Sequence, residues 1–166
     1  LAVYQLRLEE LVIKRTSELK DSQAQLRAAE RLASIGTLAA GIANLLHVLA
    51  TEEGLTEQLY PRVDDDRLMA RFVEEVMRLQ PPVHGLFRTA MRDVVLGGTK
   101  VPAMSQLCVM YASANDDEAK FADPRRLDIE RPNLGTHITF GSGIHKCVGM
   151  ALARMEIKLA AQEIIR

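Results

Sequence analysis

The sequence predicts a mainly α-helical chain with a small β component. Residues 1 to about 50 contain no proline, and apolar residues return there at helical spacing. A second helical segment, Arg71 to Leu79, ends at the pair Pro81 and Pro82. Short runs rich in β-branched residues flank Gly97 and Gly98, which is typical of a hairpin. With 166 residues the chain is long enough for one modest domain with a core.

Composition excludes several classes of partner. The net charge is −1, which predicts neither nucleic acid nor an anionic membrane surface as a partner. No apolar run reaches the length of about 18–20 residues that a membrane span needs. The charged N-terminus does not resemble a signal peptide. The only cysteines, Cys108 and Cys147, do not form a disulfide framework, so we expect a cytoplasmic protein. Because the sequence begins with Leu1 rather than methionine, we also expect a fragment.

The first helix carries an apolar stripe with alternating spacings of four and three residues. Charged residues of both signs occupy its other faces. This pattern suits a coiled-coil-like helix that pairs with a second copy through residues 8–33. It equally suits a single amphipathic helix packed on its own domain. The stripe consists of Leu8, Val12, Leu19, Leu26, Ala29 and Ala33.

The stretch from Arg15 to Ala43 resembles the dimerisation helix of sensor histidine kinases. Its run E-R-L-A-S-I-G-T-L-A-A-G-I-A matches the segment that, in that family, precedes a phospho-accepting histidine and a glutamate. Here Asn44 and Leu45 follow instead, and an amide cannot act as a phosphoryl nucleophile. His47 lies on a different helix azimuth. The resemblance therefore implies a dimerisation helix over residues 1–43 without kinase activity.

The helix from Arg71 to Leu79 contains the pattern E-x-x-R at Glu75 and Arg78. Residues three apart share one helix face, so the two side chains can form an ion pair. From spacing alone, an exposed pair between Glu74 and Arg78, worth less than about 1 kcal/mol, is the simpler interpretation, and only the cysteine-containing loop downstream favours the buried pair.

The following segment contains the β component. The run V-V-L-G-G-T-K-V predicts the hairpin, and S-Q-L-C-V-M-Y predicts a buried strand with Cys108 in the core.

A glycine-rich loop near the C-terminus, F-G-S-G-I-H-K-C-V-G, contains Cys147. Gly141, Gly143 and Gly149 would let the backbone approach a flat cofactor closely. A helix follows from Val148, and its amides and positive end favour a thiolate. These features predict a thiolate metal ligand, whereas a cysteine alone would more simply be a buried structural residue.

The last helix, Val148 to Ile165, is apolar over a broad face that includes Leu152, Met155 and Leu159. Such breadth predicts that this face is buried.

The loop resembles the haem-binding loop of the cytochromes P-450, whose pattern is F-G-x-G-x-[HR]-x-C-x-G. Every fixed position is present. The resemblance implies that residues 44–166 are the C-terminal part of the P-450 fold, with haem b as cofactor. It implies that Cys147 ligates the haem iron and that Phe140, Gly141 and Gly149 contact the cofactor.

The same resemblance implies roles for residues elsewhere in the chain. Glu75 and Arg78 would form a buried ion pair, with Arg126 as its third partner. The resemblance also implies that haem propionates are bound by Arg88, His137 and His145.

By resemblance the function is that of a haem-thiolate monooxygenase, which inserts oxygen from O₂ into a small organic substrate. Electrons would come from a ferredoxin or a reductase. The family's acid–alcohol pair, A-G-x-[DE]-T, aligns with Ala40 to Asn44, so Ala43 and Asn44 replace the proton-relay residues. We therefore expect an incomplete segment and assign no catalytic residue. The alternative is a non-catalytic helical dimerisation module, derived from a sensor histidine kinase, with a degenerate P-450 tail.

Overall fold

The computed structural model describes residues 2–166, except for the side chains at positions 2, 3, 5, 6, 8–10, 29–31, 33 and 34. The described residues form two compact units, Leu1–Thr37 and Leu38–Arg166. The architecture is mainly helical with two small sheets, as the sequence predicts. The helices are α1 (Ala2–Thr51), α2 (Leu55–Leu59), α3 (Asp66–Leu79), α4 (Tyr111–Asn115) and α5 (Met150–Ile165).

In the first unit, the described side chains of α1 are exposed. Every residue from 11 to 28 is exposed, including Val12, Leu19 and Leu26 of the predicted stripe. The side chains of Leu8, Ala29 and Ala33 lie outside the described residues. The helix is therefore confirmed, whereas its pairing with a second copy stays a prediction.

The core of the second unit is built by the last turns of α1 together with α2, α3 and α5. Its buried members include Leu45, Leu59, Phe72 and Ala161, whose removal from water stabilises the fold. The approach of α1 to α5 is close, since a Cβ added at Gly41 would lie 2.9 Å from Ile157 Cδ1.

Helix α3 has clear start and stop signals. The Asp65 carboxylate caps it by accepting hydrogen bonds from the amides of Arg67 and Leu68, at 3.1 and 3.0 Å. The helix ends at Leu79, before Pro81, as predicted. It begins five residues before the predicted start at Arg71, because Asp65 caps a first turn that the apolar pattern alone does not mark.

Each sheet has two antiparallel strands. The hairpin pairs β2 (Val94–Leu96) with β3 (Thr99–Val101), and Gly97 and Gly98 take positive φ angles of 53° and 81° at its turn. This hairpin is where the sequence predicts it.

The second sheet pairs β1 (Gly85–Thr89) with β4 (Gln106–Met110), so that Phe87 lies opposite Cys108. The predicted strand around Cys108 is confirmed, but its predicted burial is wrong, because Cys108 is exposed. Phe87 is also exposed, at 69%. No described residue buries this part of the two-stranded sheet.

Helix α5 packs one face into the core through Ile157, Ala161 and Ile165. The apolar side chains whose burial the breadth of the helix face predicts, Leu152, Met155 and Leu159, are 54%, 51% and 51% exposed. Their face is not covered by any described part of the chain.

Within residues 2–166, no single helix has both the length and the apolar character that crossing a membrane requires. One pair of helical segments, 35–51 and 55–62, meets these two criteria when taken together, but it is bent by 103°.

Candidate functional site

The segment Phe140–Gly149, here called the cysteine loop, is closed by its own backbone. The Cys147 amide donates to the Phe140 carbonyl at 2.9 Å, and a short helical turn, Gly143–His145, lies between them. Gly141 and Gly143 take φ angles of 71° and 68°, which side chains with a Cβ rarely adopt. The fold of the loop thus requires two of its glycines.

The thiol of Cys147 is free and exposed, and α5 begins three residues later. Ile144 and Val148 on either side of it are almost fully exposed. The thiol therefore lies on an open surface near two uncovered apolar side chains and the positive end of a sixteen-residue helix.

The residues predicted to contact a cofactor fall into two groups. Arg88 on β1 and His145 in the cysteine loop are exposed, and no described protein group forms a hydrogen bond with either side chain. Phe140, Gly141 and Gly149 are half-buried parts of the loop itself.

His137 has a different environment from the other predicted cofactor contacts. Its side chain is 1% exposed, and Nε2 lies 2.8 Å from Glu74 Oε2. Its Nδ1 accepts from the Thr139 amide at 3.3 Å. Both ring nitrogens thus have protein partners, and a contact between His137 and a propionate would require the ring to leave Glu74.

Glu74 also binds Arg154 of α5. The guanidinium donates to both carboxylate oxygens, with Arg154 Nη2 at 2.8 Å from Oε2. Burial alone would raise the pKa of Glu74, but the hydrogen bonds from His137 and Arg154 outweigh it and hold this pKa below its ordinary value.

The predicted ion pair of Glu75 and Arg78 is present and buried. Arg78 donates to the carboxylate through Nε and Nη2, both at 2.8 Å, and through Nη1 to the Asn115 carbonyl at 2.8 Å. Such bidentate, charge-assisted bonds are among the stronger interactions in proteins.

The third partner of this pair is Arg131, which corrects the prediction of Arg126. Arg131 Nε lies 3.3 Å from Glu75 Oε1, and the Asp128 amide donates to the same oxygen at 3.0 Å. The Arg126 side chain is exposed, and only its carbonyl takes part, accepting from Arg131 Nη2 at 3.1 Å. Arg126 and Arg131 belong to the same sequence segment, D-P-R-R-L-D-I-E-R-P. Spacing alone does not show which of the two side chains points into the core.

Two further residues join the cysteine loop to the helices and were missed at the sequence level. Asn115 is buried, donates to Thr139 Oγ1 at 2.8 Å and accepts from the Ile138 amide at 2.9 Å. Thr139 Oγ1 donates in turn to the Met77 carbonyl at 2.8 Å. The alternation of His137 and Thr139 with apolar residues just before the loop marks Thr139, whereas no local pattern marks Asn115.

Asn44 contributes to packing. Its Nδ2 donates to the Gln80 carbonyl at the end of α3, at 2.9 Å. This hydrogen bond occupies the amide that the sequence placed at the proton-relay position.

No cluster of three or more His, Cys, Asp or Glu side chains able to hold a metal ion occurs among the described residues. A metal at Cys147 would therefore have to bring further ligands with it, as a metalloporphyrin does.

Comparison with known proteins gives a consistent family. The family model described as Cytochrome P450 matches residues 31–166. Cytochrome P450 144 of Mycobacterium tuberculosis is 32% identical over 151 residues, which cover 90% of this chain and 34% of that protein. The steroid C26-monooxygenase of Mycolicibacterium smegmatis is 37% identical over 123 residues, which cover 70% of this chain and 30% of that protein.

Solved structures agree with this result. The crystal structure of CYP109E1 from Bacillus megaterium in complex with corticosterone superimposes with a TM-score of 0.72 at 34% identity. The match covers 78% of this chain and 34% of that one. The chain thus spans about a third of the length of the curated relatives it matches.

Proposed function

The chain belongs to the cytochrome P450 family, and we propose that it is a haem-thiolate monooxygenase segment whose Cys147 ligates the iron of haem b. Haem iron is the cofactor of this family. The observation that carries the proposal is the free, exposed Cys147 thiol, presented by a closed glycine-containing loop just before α5.

The residues present fit this cofactor. The bond from the Cys147 amide to the Phe140 carbonyl fixes the backbone on both sides of the short turn. The exposed apolar side chains of Ile144 and Val148 offer contact to a flat apolar ring, and Phe87 on β1 is likewise uncovered. One thiolate with apolar surroundings suits a metal that brings its own planar ligands.

Charged groups of the cofactor need partners as well. The exposed Arg88 and His145 can donate to haem propionates, because neither is engaged with a described protein group. We retain His137 only as an indirect contributor, since Glu74 and the Thr139 amide occupy its ring.

A thiolate-ligated haem iron activates dioxygen for insertion of one oxygen atom into an organic substrate. For this chain we propose a small organic substrate and electrons from a ferredoxin or reductase. A steroid monooxygenase among the relatives supports an apolar substrate. Because neither Ala43 nor the Asn44 amide, which donates to the Gln80 carbonyl, has a titratable group to relay protons, we expect little turnover from the segment alone.

Reconstitution with haem tests the proposal. After reduction and addition of carbon monoxide, the wild-type chain should give a thiolate-type Soret band. Cys147→Ser should abolish this band, whereas Cys108→Ser, which changes an exposed cysteine on β4, should leave it unaltered. An unchanged spectrum in Cys147→Ser would overturn the assignment.

The exposed stripe of α1 favours a second role, self-association. We propose that residues 1–43 form a dimerisation helix of the sensor-kinase type ahead of the P450 segment 44–166, and that copies pair through residues 8–33. Val12, Leu19 and Leu26 are each more than half exposed, so pairing would remove them from water. The family match begins upstream of this boundary, at residue 31. In this alternative the chain is a non-catalytic dimerisation module.

Sedimentation equilibrium distinguishes the two roles. The wild-type chain should dimerise, and Leu19→Asn with Leu26→Asn should weaken the dimer at least about tenfold. Substituting Ser17 and Ala24 by Asn in the same helix is the matched control. A monomeric wild-type chain at high concentration would remove the dimerisation role and leave the haem proposal intact. Both roles suit the cytoplasm, where the two free thiols would stay reduced.

A further inference from the structure

We propose that Glu74 is a positioning residue that holds both ends of the cysteine loop on α3 and so presents Cys147 to the iron. This inference rests on the proposed function of Cys147. It assigns a separate task to each of two adjacent carboxylates, Glu74 and Glu75.

The first step is the geometry of the anchor. Glu74 accepts from His137, three residues before the loop begins, and from Arg154, five residues after it ends. The carboxylate therefore joins the two segments that enter and leave the cysteine loop. Its side chain is 17% exposed and that of His137 is 1% exposed, so water competes weakly for these bonds.

The second step connects this anchor to the sulfur-bearing residue. The Arg154 guanidinium lies over the Phe140 ring, with Cζ 5.0 Å from the ring centroid. The Phe140 carbonyl accepts the hydrogen bond from the Cys147 amide. A continuous set of contacts thus runs from Glu74 through Arg154 and Phe140 to Cys147.

The third step separates this cluster from the buried pair next to it. Glu75 binds Arg78, Arg131 and the Asp128 amide, and none of these groups contacts Glu74 through a described hydrogen bond. Loss of Glu74 would leave Arg154 and His137 without their acceptor while leaving the Glu75 network intact. The expected defect is therefore local to the cysteine loop.

The chain offers a matched control for helix docking. Lys158 and Asp66 form a second ion pair between α5 and α3, at 2.7 Å, at the other end of the contact. If Glu74 only held the helices together, Asp66→Asn would have the same effect on the loop as Glu74→Gln.

Hydrogen exchange on the full chain without haem, at a dilution where light scattering gives every variant the same apparent mass, is the first test. In Glu74→Gln, the Cys147 amide should exchange at least about tenfold faster, because a charge-assisted anchor is lost. In Asp66→Asn, its exchange should match the wild type. Equal rates in Glu74→Gln and the wild type, or equal acceleration in both variants, would overturn the inference. If Glu74→Gln fails to fold by circular dichroism, Arg154→Lys, which keeps the charge but loses the bidentate geometry, replaces it under the same criteria.

The carbon monoxide spectrum of the haem-loaded chain is the second test. We expect the fraction of thiolate-type Soret absorbance to fall in Glu74→Gln and to be unchanged in Asp66→Asn. A wild-type chain without that absorbance overturns the proposed function, and with it the role of presenting Cys147 to iron. A wild-type chain with the absorbance and an identical Glu74→Gln spectrum overturns this inference alone.

Discussion

At the scale of single residues, the buried charges are concentrated around Glu75. Glu75 is completely buried, and two guanidinium groups and one backbone amide satisfy its oxygens. Among the described residues, no buried side-chain nitrogen or oxygen lacks a hydrogen-bond partner. Removing one member of such a network leaves an uncompensated buried charge, which costs far more than the loss of an exposed pair.

The correction from Arg126 to Arg131 gives the first prediction. Arg131→Ala should lower the free energy of unfolding by about 3–5 kcal/mol, because Glu75 loses a buried partner. Arg126→Ala should change it by less than about 0.5 kcal/mol, since that side chain is exposed. Urea titration followed by circular dichroism measures both. Equal effects of the two variants would contradict the assignment.

Met104 gives the second prediction. It takes a φ angle of 65° and is 71% exposed, so its side chain gains little from packing while its backbone is strained. Met104→Gly should raise the free energy of unfolding by about 0.5–1 kcal/mol. Met91→Gly, at a methionine that is 83% exposed and has no positive φ, should give no gain. A melting temperature of Met104→Gly at or below the wild-type value would show that the turn is not strained.

The sequence predicted residues that act as neighbours along the chain better than residues that meet across it. Gly141, Gly143 and Cys147 belong to one short loop, so their spacing in the sequence was enough to predict that they lie together. The partnership of Glu74 with Arg154 joins positions 80 apart, and only the packing of α5 on α3 brings them together.

At the scale of elements, docking of α1 on α5 depends on one small residue. A Cβ added at Gly41 would lie 2.9 Å from Ile157 Cδ1, so that the end of the Ile157 side chain would have to shift, and 3.7 Å from Pro82 Cγ, which is ordinary contact. Asn44, one turn later, bonds the end of α3. The last turns of α1 therefore fit against two other elements of the second unit.

Substitution of Gly41 tests this fit. Gly41→Leu should lower the free energy of unfolding by about 1–3 kcal/mol, because the added side chain overpacks the contact with Ile157. Gly36→Leu in the same helix should not destabilise, since nothing lies within 4 Å of its added Cβ. Chemical denaturation of both variants measures the difference. If Gly41→Leu is as stable as Gly36→Leu, the close packing is not required.

Helices with local signals were predictable, whereas the pairing of distant strands was not. Proline at position 81 and the glycine pair at the hairpin mark α3 and β2–β3 within the sequence itself. Strands β1 and β4 pair across the intervening hairpin, and Cys108 is exposed because no described residue packs on that face of the sheet. No periodicity in either strand reveals its partner.

At the scale of the whole molecule, the second unit has a large uncovered apolar surface. Ile144 and Val148 are nearly fully exposed, and Leu152, Met155 and Leu159 continue the surface along α5. Their burial was predicted from the breadth of the apolar face. The chain spans only about a third of the length of its curated relatives, and no described residue covers this surface.

This surface predicts self-association without haem. The chain should be oligomeric or poorly soluble in its haem-free form, and haem should reduce the association by covering part of the surface. Leu152→Gln with Leu159→Gln should lower the apparent mass in light scattering, whereas Val95→Gln on the exposed hairpin should have little effect. A haem-free monomer with well-dispersed NMR signals would contradict this prediction.

The adjacent carboxylates of α3 have a consequence for the length of that helix. Consecutive helical residues differ by about 100° in direction, so Glu74 and Glu75 extend towards different partners. An in-frame deletion of a single residue between Asp65 and Glu74 would rotate Glu74 away from Arg154 and Glu75 away from Arg131 at once, while Arg78, on the same helix, would turn together with Glu75. Natural variation should therefore tolerate exchanges on the solvent side of this segment far more readily than insertions or deletions within it.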